Sequence, residues 1–214
     1  MKELAYARHV LEVLASADPN LVVYGGALRD TFAGNPVKDI DIAFYSEYIP
    51  DQQRFLDAIG DSGLFINNPP KMEDLESEQY DAGEDSDFEC YFQMIPKKEG
   101  MPDVEFVGVT IEPFCPKAVA DRCDWGFCQS AFDLKEVYQS VNYKIDMFNQ
   151  TATYCVKNPC KEAIKHSVGR KKRLAKKFPG WEFHMPDHLI KKHKLRGFKA
   201  FNVNDEKGKQ HVYY

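Results

Sequence analysis

The stretch Leu21-Val22-Val23-Tyr24-Gly25-Gly26-Ala27-Leu28-Arg29-Asp30-Thr31-Phe32, followed after a Gly34-Asn35-Pro36 turn by Lys38-Asp39-Ile40-Asp41-Ile42-Ala43-Phe44-Tyr45, decides how the chain is read. Leu21–Tyr24 predicts a short buried strand running into a glycine pair. Ala27–Phe32 predicts a turn of helix, and Lys38–Tyr45 a second strand. Glycines where a strand meets a helix let a phosphate approach the backbone, and the unpaired N–H groups of the helix start point at it. In the second strand Asp39 and Asp41 are two apart and share a face, while Ile40 and Ile42 point into the opposite, apolar face. Two such carboxylates repel unless a cation lies between them. Beside a triphosphate, magnesium takes that place, with one or two carboxylates plus phosphate oxygens as ligands. The chemistry implied is metal-assisted phosphoryl or nucleotidyl transfer. A two-metal site needs a third carboxylate from a neighbouring strand. Glu105, flanked by Val104 and Phe106, is the first choice, and Asp103, on the same side of its strand, the reserve.

Outward from this stretch, Leu4, Ala7, Val10, Leu11, Val13 and Leu14 recur with helical period over Lys2–Ala17. A helix is expected over residues 51–60, a strand at Leu64–Ile66, and strands at Cys90–Ile95 and Val104–Val109 joined as a hairpin. A short helix is expected at Pro116–Arg122. Strand character is read in Val137–Ile145, with a turn near Asn149-Gln150. A basic helix is expected over Pro159–Phe178, where Pro159 suits the first turn and Pro179-Gly180 the end, and a shorter one over Pro186–Lys194. Glu73–Glu89 holds nine acidic residues and no basic ones. It has too few apolar anchors to order itself and reads as a mobile insertion spanning about residues 70–90.

The chain has 214 residues, 43% of them hydrophobic, which suits one domain with a sizeable core. No window approaches the roughly 18 apolar residues of a membrane span. Met1 leads into no secretory pattern, and six cysteines without an export signal read as reduced thiols. A cytoplasmic location is the expectation. The net charge of −5 hides an asymmetry: 8 Lys/Arg stand against 22 Asp/Glu in residues 1–107, and 20 against 11 in residues 108–214. Residues 161–199 hold 13 basic and 3 acidic side chains. That field collects polyanions, nucleic acid among them; the alternative is a solvated face that only offsets the acidic half.

Tyr24-Gly25-Gly26-Ala27-Leu28-Arg29-Asp30 with Lys38-Asp39-Ile40-Asp41-Ile42-Ala43 resembles the nucleotidyltransferase signature of the polymerase-beta superfamily. The form is that of the head domains of CCA-adding tRNA nucleotidyltransferases and bacterial poly(A) polymerases. The likeness covers about residues 4–45. The remainder, notably Val119–Phe132 with Asp124-Trp125, is loosely similar to small stand-alone nucleotidyltransferase-like proteins of phage and bacteria. The resemblance implies an α+β nucleotidyltransferase fold, a mixed β-sheet flanked by helices, followed by a basic helical C-terminal region. It implies that Asp39, Asp41 and Glu105 are catalytic and hold two magnesium ions, with manganese as an alternative. Gly25, Gly26, Arg29, Asp30 and Lys38 would contact the NTP, Arg29 and Asp30 either in the nucleotide pocket or by fixing the loop. A full CCA-adding enzyme is nearly twice this length, and no Glu-Asp-x-x-Arg element of the kind that selects CTP and ATP is present.

The domains expected are a nucleotidyltransferase core over residues 1–158 and a basic helical appendage over 159–214, packed on it. Arg170, Lys171, Lys172 and Arg173 would bind nucleic acid, with Phe178, Trp181 and Phe183 as stacking surfaces, at least one of them core. Cys155, Cys160 and His166, with His184, His188 and His193, fit zinc spacing poorly and read as ordinary thiols and surface histidines. The function expected is transfer of NMP from an NTP to an acceptor hydroxyl, on RNA and with a tRNA 3′ end as one candidate. The alternatives are a catalytically silent nucleotide- or RNA-binding module, or a toxin-like enzyme modifying tRNA or protein.

Overall fold

The computed structural model describes residues 1–46, 49–71, 74, 88–157 and 159–202. In chain order the elements are α1 (Lys2–Leu14), β1 (Val22–Tyr24), α2 (Gly26–Phe32), β2 (Asp39–Tyr45), α3 (Ile49–Asp61), β3 (Phe88–Met94), β4 (Asp103–Val109), α4 (Pro116–Asp121) and a 3-10 turn at Gly126–Cys128. There follow β5 (Ser130–Phe132), β6 (Val137–Gln139), α5 (Val141–Asn149), β7 (Thr151–Thr153), α6 (Lys161–Lys177), β8 (Glu182–Pro186), α7 (Asp187–His193) and β9 (Lys199–Phe201). A six-stranded mixed sheet runs β3-β4-β2-β1-β5-β6, and a second sheet β7-β8-β9. The architecture is α+β, a mixed sheet flanked by helices.

Strand β2 is buried on alternate residues because Ile40, Ile42 and Phe44 enter the core under α1 and α3 with Val104 and Phe106 of β4. Phe106 stacks on Phe92 and meets Phe55 and Phe65 edge-on. The opposite face carries Val22, Ala43, Val107 and Val109 against Val119 and Ala120 of α4. Since β2 and β4 are parallel, with Asp39 beside Asp103 and Asp41 beside Glu105, all four acids project from this second face.

A separate core centres on Trp125, fully buried and edge-on to Tyr154 and Phe183. Ile164, Leu174, Phe178, Met185 and Leu189 complete it. The C-terminal region thus contains the expected helices and also the small parallel sheet, which recruits Thr151–Thr153 from before residue 159.

Three expectations need correction. Leu64–Ile66 is no strand: Phe65 makes only an isolated bridge to Pro96. The strand read over Val137–Ile145 stops at Gln139, because the Ser140 hydroxyl accepts from the Tyr143 N–H at 2.9 Å and starts α5. Phe178 and Phe183 are buried on Phe127 and Trp125 in the second core and are not stacking platforms, while Trp181, partly buried, packs on Phe127 and Phe178. The Glu73–Glu89 insertion lies almost wholly outside the described residues. Among those described, no helix is long and apolar enough to cross a membrane.

Candidate active site

β1 ends at Tyr24, and the chain turns through Gly25 at φ +74°, a conformation that side chains rarely adopt. The Gly25 N–H donates to the Ser130 carbonyl at 2.9 Å. A Cβ on Gly25 would stand 3.8 Å from Asp41 Oδ2 and 3.9 Å from Cys123 Sγ, so the glycine loop lies directly on the carboxylate. The neighbouring strands bring Glu105 beside Asp41. Burial, reinforced by the charges of Asp39 and Glu105, pushes the Asp41 carboxyl up to about 8. Tyr91 of β3 bonds to Glu105; burial, then that carboxylate, raises its hydroxyl pKa.

These groups floor a cleft of about 670 Å³, within the ~300–1,000 Å³ of ligand pockets. Its opposite wall is α6, which presents Glu162, His166 and Arg170 at four-residue spacing. Arg170 Nη1 donates to Asp124 Oδ1 at 2.7 Å. Burial opposes its charge, but Asp124, Cys128, Cys123 and Asp41 together outweigh that and the Arg170 pKa rises. His166 is shifted the other way, by burial and then by Arg170.

The structure distributes the sequence candidates unevenly. Gly25, Gly26, Asp41 and Glu105 meet in the cleft. Asp39 lies on the same face but pairs with Lys38 at 2.6 Å. Hydrogen bonding to Asp39, then its charge, raises the Lys38 pKa. Asp103, the reserve acid, accepts from Gln93 at 2.6 Å.

Arg29 and Asp30 face away from the cleft and are buried. Arg29 holds Asp30 through two bonds of 2.9 Å and sits between the rings of Phe127 and Phe178 at 5.2 Å from each, while Lys177 closes on the same carboxylate. That is the geometry of fixing the loop.

The consecutive Arg170, Lys171, Lys172 and Arg173 fan around α6 instead of forming one patch. Arg170 enters the cleft, Lys171 lies over Phe198 at 3.9 Å, and only Lys172 and Arg173 are exposed. Tyr91, Asp124 and His166 were not singled out as site residues. For His166 the i, i+4, i+8 series from Glu162 to Arg170 was a readable signal.

Among the described residues no three His, Cys, Asp or Glu side chains are gathered closely enough to hold a metal by themselves. Cys155 bonds to Asn142 and the Thr153 carbonyl, and Cys160 caps α6.

No family model matches the chain, and no curated protein matches it. Solved structures do. A tRNA-processing enzyme in an apo form superposes with TM-score 0.54 and 16% identity, over 89% of this chain and 45% of that one. The Thermotoga maritima CCA-adding enzyme complexed with tRNA gives 0.57 and 13%, over 88% and 40%. A CCA-adding enzyme complexed with CTP gives 0.55 and 15%, over 88% and 41%. This chain therefore spans less than half the length of each of these structures, and over that span it has the nucleotidyltransferase fold.

Proposed function

We propose that the chain is a magnesium-dependent nucleotidyltransferase that moves NMP from an NTP to an acceptor hydroxyl on RNA. The observation that carries this reading is the register that sets Asp41 against Glu105, with Asp39 one step along the same face, under a glycine loop at the floor of a cleft. The likeness to CCA-adding enzymes supports the fold on which such chemistry is built, and the tRNA and CTP in the names of those structures suggest the substrate classes.

The donor set fits magnesium. It consists of carboxylate oxygens on adjacent strands, and burial with the charges of Asp39 and Glu105 raises the Asp41 carboxyl, so a cation beside it would be favoured. Asp39, Asp41 and Glu105, not gathered closely enough to hold a metal by themselves, would hold two magnesium ions together with the triphosphate oxygens, and the ions would supply charge neutralisation to the triphosphate and a lowered pKa to the attacking hydroxyl. The protein does the rest by placement. Gly25 and Gly26 leave room for the triphosphate against the backbone, and Tyr91 fixes the Glu105 carboxylate toward Asp41. Arg170, anchored by Asp124, sets a permanent positive charge on the opposite wall. The acceptor oxygen forms a bond to the α-phosphorus, and the bond to the bridging oxygen breaks with pyrophosphate leaving.

The test is incubation with each α-labelled NTP, magnesium and pooled RNA. Transfer should occur with the native chain and be lost, by at least about 10²-fold, in Asp39→Ala/Asp41→Ala. Label transfer unchanged in that variant sinks the assignment.

A second reading, a nucleotide- or RNA-binding module without transfer, is favoured by the ion pair in which Lys38 already neutralises Asp39. It predicts binding without pyrophosphate release, and it fails if release depends on Asp41.

A further inference from the structure

The outer face of α6 is a ridge of lysines. Steps of 100° per residue put Lys161, Lys165, Lys172 and Lys176 on one side, and all four are exposed. They extend over 16 residues, about 22 Å of helix from first to last. Among the described residues none of the four is in an ion pair, whereas Lys117, Lys177, Lys191 and Lys199 each meet a carboxylate.

Gly169 lies midway along the ridge on its flank toward Arg173, exposed and inside the helix, where glycine is the least favourable residue after proline. A Cβ there would meet nothing within 4 Å, so packing does not require the glycine. Around the helix from the ridge come Arg173, whose charge reaches Lys38, and then Arg170 in the cleft. Cations therefore lead from the ridge past Arg173 to Arg170 in the cleft, with Glu162 on the same side at the start of the helix.

We propose that this face of α6 is the track of the phosphodiester backbone of the RNA acceptor, which crosses the helix at Gly169 and reaches the cleft past Arg173. A linear polyanion matches a linear row of unpaired cations, and a backbone without a side chain at the crossing point admits a phosphate close to the helix. The word acceptor rests on the transferase reading; the RNA binding does not.

The test uses the full chain in EDTA without NTP, with a fluorescein-labelled tRNA transcript followed by anisotropy between 50 and 200 mM KCl. The variant Lys161→Gln/Lys165→Gln/Lys172→Gln/Lys176→Gln should lower the slope of log K against log salt by about 3, at 0.7–0.9 per phosphate. The native chain then loses about 60-fold more affinity over that range than the variant. The control Lys97→Gln/Lys98→Gln/Lys135→Gln/Lys144→Gln removes as much charge from exposed positions elsewhere and should change the slope by less than about 1.

Gly169→Leu should hold or raise the thermal midpoint, since leucine is the better helix former, yet raise the RNA Kd at least about threefold. An equal slope change in ridge variant and control overturns the track. An unaltered Kd in Gly169→Leu overturns the crossing point. Ridge-dependent binding to vesicles of phosphatidylcholine with phosphatidylserine, with none to RNA, overturns the proposal in favour of a membrane. Ridge-dependent RNA binding in a chain that fails every transfer assay would refute the transferase reading and leave the ridge standing.

Discussion

Replacing Asp30 by Asn removes one negative charge from a buried cluster of two cations. Asp30 accepts two bonds of 2.9 Å from Arg29 and a third from Lys177, and it joins α2 at the edge of the first core to the last turn of α6 in the second. Breaking a buried pair by deleting one partner costs about 3–5 kcal/mol. Two features reduce that here. The Lys177 side chain keeps 26% exposure and can turn to water. Arg29, at 6%, cannot, but it retains Cys128 at 3.0 Å and two aromatic faces worth about 1–2 kcal/mol. The expected loss is about 2–3 kcal/mol, or roughly 5–10 °C in Tm for a chain of this size. Urea unfolding followed by the fluorescence of buried Trp125 measures it. Lys177→Met, which leaves the Arg29–Asp30 pair intact, should cost less. A loss below about 1 kcal/mol for Asp30→Asn, with the m-value unchanged, would refute the idea that this charge ties the two cores together.

Other outcomes follow from the same geometry. Asp41 binds its proton more tightly folded than unfolded, with a native value of about 8 against 3.8. In EDTA, stability should therefore be full below pH 4 on this group's account and fall as pH rises toward 8. Asp41→Asn should melt at least about 3 °C above the native chain at pH 8, with little difference at pH 4; equal melting at both pH values would show that the carboxyl is not held in its neutral form. Gly126→Ala sets a methyl 2.5 Å from Asp146 Oδ2, a carboxylate fixed by Thr151 and Thr153. It should cost about 1–3 kcal/mol in denaturant unfolding, and a neutral result would show that α5 can shift. Trp125→Ala opens the second core and should cost about 3–5 kcal/mol in urea unfolding followed by far-UV circular dichroism.

How much the sequence revealed depended on element length and on where partners sit along the chain. Asp39–Tyr45 and Asp103–Val109 are seven residues each, long enough for alternation to show, so the sheet centre and the acidic face were readable. Strands of three residues carry no period: Ser130–Phe132 is buried at every position, and β7 and β9 went unseen. Val137–Ile145 was misread because its β-branched and aromatic residues suit a strand, while the Ser140 cap that ends it is a local hydrogen bond. Arg29-Asp30 was legible as a motif, but its partners Cys128 and Lys177 are 99 and 147 residues away. The Asp124–Arg170 pair spans 46 residues and leaves no spacing pattern. The basic run looked like one patch because consecutive letters were read as neighbours, whereas a helix makes neighbours of residues three and four apart.

The in-register pairing of β2 with β4 gives the acids an unusual safeguard. Sliding either strand by a single position would thrust Ile40, Ile42, Val104 or Phe106 into the cleft and drive a carboxylate among the rings of Phe55 and Phe92. The greasy side of the sheet thus acts as a ratchet that holds the charged side in alignment. Damage to the distant apolar layer should then be felt in the cleft as misplaced oxygens, well before the protein loses its shape.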